Sequence, residues 1–286
     1  MVIHFFRSRS EERIDFEELI DNYFGTMPNV HIASDDEALE VMIDIPDFEF
    51  AYRYLITKRS RVSSIYKLNS DFININMLVE IPLNIPQFLL RMCLQQIDEM
   101  CRKFKLVIYY EQLDNIREFR MFEMLQSLLK EREKYFEEHP EVVRYAIAES
   151  KLNQICIYQK IQKDLSRIVK CDLMPNPYIV LLDKRTGRVE LSINFKAGEP
   201  TVFPPQLSYV HVEEEENLIN VIPIDAFMKI AERHMYEIKD SGSDLKMLFL
   251  NEKGSLKVKK HLKKVRKYMI SSSNFDVIKL INLIEG

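Results

Sequence analysis

Between Val30 and Ile81 apolar and polar positions alternate in short runs separated by polar breaks. The alternation is clearest over Phe48–Ile56, where Phe48, Phe50, Tyr52, Tyr54 and Ile56 fall on one face at a period of two. Val30–Ala33, Ala38–Ile45, Val62–Leu68 and Phe72–Ile81 read as strands in the same way. The breaks at Pro46-Asp47, Lys58–Arg61 and Asn69–Asp71 suit hairpin turns, so the region predicts an antiparallel meander. A short strand, Val2–Phe6, and a weakly amphipathic helix over Glu11–Tyr23, ending near Gly25, precede it. The period then changes. Leu90, Cys93, Leu94, Ile97, Cys101 and Phe104 recur at three- and four-residue spacing, which predicts a helix over Ile85–Phe104 with Pro86 in its first turn. Lys105–Tyr110 alternates again as a return strand.

Helical spacing continues through Asp114–Phe136 and Lys151–Val169. Beyond Asn176-Pro177, strands are expected at Tyr178–Leu182 and Arg188–Phe195, joined by a hairpin in which Gly187 supplies the positive-φ position. Lys196–Gln206, with Pro200, Pro204 and Pro205, reads as a stiff connecting loop. Strands Leu207–Val212, Leu218–Ile222 and Met247–Leu250 follow, with a helix capped by Asp225 running to about Ile238. Helices are expected over Ser255–Met269 and Phe275–Ile284. The predicted fold class is α+β: an N-terminal antiparallel β-meander covered by a helix, a central helical block, and a smaller C-terminal α+β part. The expected divisions are 1–112, 113–175 as a helical connector, and 176–286, which carries a basic helix.

Composition narrows the function. Hydrophobic residues make up 47% and charged residues 29%, which suits a globular core rather than a disordered chain. A net charge of -4 argues against a protein that coats nucleic acid with its whole surface, while leaving room for a local basic patch. There are 6 glycines in 286 residues, against a usual share of about 7%. Phosphate-cradling loops need glycine for close backbone approach, and neither GxGxxG nor GxxxxGK[ST] occurs. Cys93, Cys101, Cys156 and Cys171 form no CxxC pair, and the first two lie on the apolar stripe of a helix. The opening MVIHFFRSRSEER lacks the apolar run of a signal peptide. The most apolar stretch, Ile73–Ile97, is broken by charges and prolines. A cytoplasmic protein with no membrane span is expected.

The sharpest chemical feature is Lys253–Lys267. Lys253, Lys257, Lys259, Lys260, Lys263, Lys264, Arg266 and Lys267 occur with no acid among them, and Val258, Leu262, Val265 and Met269 keep helical spacing. A basic amphipathic helix of this kind can neutralise phosphates, lie on an anionic membrane or meet an acidic protein. The plain alternative is a solvated face whose stripe packs on its own domain. Tyr268 is the one aromatic beside the lysines, which weakens a stacking role. Lys58, Arg59 and Arg61 make a smaller basic turn, which can take a phosphate or simply be solvated. The acid run Glu213–Glu216 is a poor cation site, because consecutive acids point apart. Glu232, His234 and Glu237, on the helix expected there, converge only as the pair 234 and 237. No histidine falls in HExxH or a zinc spacing, and no serine or cysteine carries a nucleophile signature.

No residue pattern calls for a cofactor or a metal, and none singles out catalytic groups. The sequence therefore points first to a non-enzymatic binding protein, of adaptor, chaperone-like or immunity type, whose partner is another protein. The second reading is a nucleic-acid-associated protein that uses the 253–267 helix. The third is an enzyme of a type without a recognisable motif.

Overall fold

The chain alternates between two-residue and helical periodicity, and the computed structural model turns that alternation into a mixed α+β architecture. It describes residues 1–60, 62–214, 218–239 and 242–286. Met1–Val143 and Arg144–Gly286 form two separate units. The helices expected over 113–175 are divided between them.

In the first unit, β1 (Val2–Ser8), β2 (Val30–Ser34), β3 (Ala38–Ile45), β4 (Phe50–Thr57), β5 (Phe72–Glu80) and β6 (Val107–Tyr109) make one antiparallel sheet. Its order is β2-β3-β4-β5-β1-β6, so the meander is continuous and the first strand of the chain inserts beside its last member. Phe50, Tyr52 and Tyr54 are buried, as their shared face requires. Phe48 is also buried but lies in the 3-10 turn Pro46–Phe48, because Glu49 takes a positive φ of 49° and the strand starts after it.

Helix α1 (Gln87–Phe104) lies against β4, and its residue Gln96 is the centre of a polar cluster. The Gln96 Oε1 accepts from the hydroxyls of Tyr54 and of Tyr52 (3.3 Å), while its Nε2 donates to the Tyr23 oxygen at 3.1 Å. Tyr23 belongs to a short π-helical segment, Glu18–Phe24, that buries Leu19 and Phe24. The helix α2 (Met121–Glu138) packs on α1, with Arg132 Nη1 donating to the Ile85 carbonyl at 3.1 Å. It starts later than expected because Arg117 exchanges backbone hydrogen bonds with Ile108 at the edge of the sheet.

The strand expected at Val62–Leu68 is a 3-10 turn, Ser63–Lys67. Here β4 pairs directly with β5, leaving no edge for a strand between them. Ile65 instead plugs a small cluster with Phe6 and Ile116. The Tyr66 oxygen meets the Ser60 N–H and Asn76 Oδ1, each at 2.6 Å.

The second unit contains β7 (Tyr145–Ile147), α3 (Glu149–Val169), β8 (Ile179–Asp183), β9 (Arg188–Lys196), β10 (Thr201–Phe203), β11 (Tyr209–Glu214), β12 (Leu218–Pro223), α4 (Ile224–Ala231), β13 (Tyr236–Glu237), β14 (Leu248–Leu250), α5 (Glu252–His261), β15 (Ile270–Ser271), β16 (Phe275–Ile278) and β17 (Leu283–Glu285). Its main sheet runs β15-β12-β11-β9-β8-β16, antiparallel except for β9 beside β11. Gly187 sits at φ 68° and closes the β8–β9 hairpin, donating to the Asp183 carbonyl at 2.7 Å.

Three expectations fail here, each because a pairing partner distant in sequence outweighs local pattern. The loop after Lys196 contains β10, whose residues are all buried and pair with β14. The helix from Asp225 stops at Ala231, because Tyr236 and Glu237 pair with Phe249 and Leu248. Phe275–Ile284 is not helical: β16 pairs with the open edge of β8 and β17 runs parallel to β7. The β-branched Val277, Ile278 and Ile284 favour extended backbone locally, and the open edges take them up.

Candidate cationic interface

The core of the second unit determines which residues of the basic segment face water. Val258, Leu262 and Val265 are buried with Ala226, Phe227, Ile230 and Ala231 of α4 and with Val210, Val212 and Ile222 of the sheet. Lys253, Lys257, Lys259, Lys260, Lys263, Lys264, Arg266 and Lys267 are all exposed. The segment is not one continuous helix. It is α-helical to His261 and then turns twice in 3-10 geometry, at Leu262–Lys264 and Arg266–Tyr268. Lys259 with Lys263, and Lys260 with Lys264, would be like charges one turn apart, which disfavours continued α geometry. The apolar anchors still face inward, and the cations spread over a broader surface than a single helical ridge.

Local features at the start of α5 hold this segment in place. Asn251 caps the helix, accepting from the Gly254 N–H at 2.8 Å. Ser255 is fully buried, and its Oγ accepts from the Gly198 N–H at 2.8 Å, tying the helix to the turn between β9 and β10. Gly254 permits a close approach: a Cβ there would lie 3.1 Å from the His234 carbonyl oxygen and 2.7 Å from Leu250 Cδ1.

That approach brings the 3-10 turn Glu232–His234 alongside α5 and adds Arg233 and His234 to the basic surface. Arg233 Nε donates to His234 Nε2 at 3.1 Å. Both imidazoles, His234 and His261, titrate below the ordinary histidine value. Desolvation is the first cause for each; Arg233 and Lys257 add to it at His234, and Lys264, Arg233 and Lys260 at His261. Lys229 of α4 lies 5.7 Å and Lys267 5.0 Å from the centre of the Tyr268 ring. Arg233, Lys257, Lys260 and Lys264 therefore act on the two imidazoles, and Lys229 and Lys267 share the Tyr268 ring.

Elsewhere in the unit, Lys184 pairs with Asp276, Arg185 with the buried Asp183, and Lys196 with Glu199. Among the described residues no carboxylate pairs with Lys253, Lys257, Lys259, Lys260, Lys263, Lys264 or Lys267. Acids outnumber bases in Met1–Val143, and bases outnumber acids in Arg144–Gly286, so the net charge of -4 conceals a basic second unit.

Lys58 and Arg59 are exposed in the first unit, beside acids; backbone N–H groups of Glu37 and Ala38 hold the Asp35 carboxyl low, and Lys58 adds to this. Arg61 lies outside the described residues. Of the acid run, Glu213 is exposed on β11, while Glu215 and Glu216 lie outside the described residues. Glu232, His234 and Glu237 share no helix, since the chain has become a 3-10 turn and then a strand. Among the described residues no three His, Cys, Asp or Glu side chains converge on a metal position.

One buried pair was not legible in the sequence. Ser192 Oγ and His211 Nδ1, on neighbouring strands β9 and β11, share a hydrogen bond of 2.7 Å. A serine next to a histidine can begin nucleophilic catalysis, but Ser192 has no exposed surface, so a substrate has no access to its hydroxyl. The pair satisfies two buried polar groups. Burial holds the His211 imidazole below its ordinary value. Among the described residues, no helix is long and apolar enough to cross a membrane. No protein-family model, curated protein or solved structure matches the chain.

Proposed function

We propose that this chain binds nucleic acid and that the phosphate backbone runs across the face built from residues 229–234 and 253–268. The observation that carries this reading is the set of exposed lysines from α4, α5 and the two 3-10 turns that have no carboxylate partner among the described residues, with Arg233 of the 232–234 turn beside them. An ordinary solvated helix face mixes both signs; here Glu232 is the only acid within 229–234 and 253–268, with Glu252 adjoining the second segment. Concentrated positive charge releases condensed counterions from a polyphosphate, which supplies affinity without sequence readout.

The test is fluorescence anisotropy with labelled oligonucleotides over a salt titration. Log affinity should fall linearly with log salt, by about 0.7 per phosphate contact for a single strand and about 0.9 for a duplex. Charge reversal at Lys259, Lys260, Lys263 and Lys264 should abolish binding, and neutralising each singly should flatten the slope by about one. Circular dichroism checks that these exposed substitutions leave the fold intact. Unchanged binding after the reversal removes this face as the site. Absence of nucleic-acid binding, with reversal-sensitive binding to polyglutamate or to phosphatidylserine vesicles, replaces nucleic acid by an acidic protein or a membrane surface.

A further inference from the structure

Tyr268 is the one Phe or Tyr ring in residues 229–234 and 253–268, and its setting differs from that of most aromatic residues of this unit. The rings of Phe195, Phe203, Phe227, Tyr209, Tyr236 and Phe249 each contact another aromatic ring. The Tyr268 ring is 40% exposed and, among the described residues, has no aromatic partner and no hydrogen bond to its hydroxyl. Its neighbours are two ammonium groups, Lys267 Nζ at 5.0 Å and Lys229 Nζ at 5.7 Å from the ring centre.

The backbone beneath it is fixed. Tyr268 N–H donates to the Val265 carbonyl at 2.9 Å and Met269 N–H to the Arg266 carbonyl at 3.0 Å. Val265 is buried in the core and Met269 packs against it, so the ring stands on a short turn anchored at both ends. Lys267 shares the turn with the ring and Lys229 comes from α4, and both ammonium groups lie over it; a base that stacks on the ring displaces one of these flexible side chains, which then stands beside it for the phosphates.

We infer that the ligand of this face is single-stranded nucleic acid and that one unpaired base stacks on Tyr268. The inference rests on the nucleic-acid reading above. A duplex keeps its base faces stacked inside the helix, so the ring gains contact only from a base that is not paired. The breakdown of α5 into 3-10 turns also spreads the cations, which suits a flexible strand better than a groove that admits one straight helix.

The experiment compares a single-stranded oligothymidylate with a hairpin duplex of matched length, by anisotropy, for the natural chain, Tyr268→Ala, Tyr268→Phe and the four-lysine reversal. Stacking predicts that Tyr268→Ala loses about 5- to 150-fold in affinity for the single strand. It also predicts an unchanged salt slope, little change for the duplex, and retention of affinity in Tyr268→Phe. A second readout uses the absence of tryptophan from the sequence: Tyr268→Trp introduces the sole indole, whose emission should be quenched on binding the single strand. Reversal-sensitive binding together with an indifferent Tyr268→Ala, or with unquenched indole emission, overturns the stacking inference and leaves the phosphate reading standing. Failure of the natural chain to bind either oligonucleotide overturns both.

Discussion

Replacing Gln96 by leucine tests whether the first unit is held by the polar cluster described between α1 and the sheet. Gln96 Oε1 accepts from Tyr54 and Tyr52, and Nε2 donates to the Tyr23 oxygen. Leucine keeps most of the side-chain volume, so the change isolates the hydrogen bonds from a packing void. Tyr54 and Tyr52 are buried and have no water to turn to, whereas half-buried Tyr23 does. Each orphaned buried hydroxyl costs about 1–3 kcal/mol, so Gln96→Leu should destabilise by about 2–6 kcal/mol. Tyr54→Phe alone should cost only about 1 kcal/mol, because Gln96 keeps the Tyr52 bond. In the leucine background the same Tyr54→Phe change removes an orphan and should stabilise by about 1–3 kcal/mol. Urea unfolding followed by far-UV circular dichroism and tyrosine fluorescence measures all four corners of the cycle. The reversal of sign is the signature; a Tyr54→Phe effect of the same sign in both backgrounds would refute the reasoning.

Two further outcomes follow from buried polar contacts in the second unit. Ser255→Ala leaves the Gly198 N–H without its partner, a loss of about 1–2 kcal/mol for a half-buried donor, and should lower the thermal midpoint by several degrees. An unchanged midpoint would show that the clasp on α5 contributes nothing. His211 has a folded-state pKa below 6.5, so the unfolded chain takes up the proton first as the solution is acidified. The stability contribution is fully present above pH 6.5 and is lost as pH falls through 6.5 toward the folded value. Thermal melts across that window should show the decline, and His211→Asn should reduce it; an identical decline in the variant would place its origin elsewhere, His4, His234 and His261 being the other lowered histidines.

The meander and α1 were legible because half-buried strands and a helix with one buried stripe each impose a single period on the sequence. Phe50, Tyr52 and Tyr54 show this directly, and so do Leu90, Cys93, Leu94, Ile97 and Cys101. What was illegible depends on partners far along the chain. The placement of β1 beside β5, the burial of Thr201–Phe203 against β14, and the strands at 275–278 and 283–285 all follow from open sheet edges that no local window contains. The basic segment was visible as charge, but the contributions of Lys229, Arg233 and His234 were not. They join it because the helix from Ile224 ends early and Gly254 lets the following turn close in. The cap at Asn251, three residues before Gly254, was the one sequence signal that would have started α5 at the right residue.

The parallel pairing of β7 with β17 has a consequence for the order of events during synthesis. Tyr145–Ile147 open the second unit, and the strand beside them, Leu283–Glu285, is made nearly the whole length of the unit later. The exposed edge of β8 likewise waits for Phe275–Ile278. The first unit has every strand of its sheet in hand once Tyr109 has emerged, and can complete while translation continues. The second unit closes only when its final strands arrive, so until then a nascent chain carries two unfilled strand positions and a full complement of lysines. A ribosome paused before Leu283 would hold a finished first unit and an open second one, and that open sheet is where a chaperone or a misplaced strand would find its opportunity.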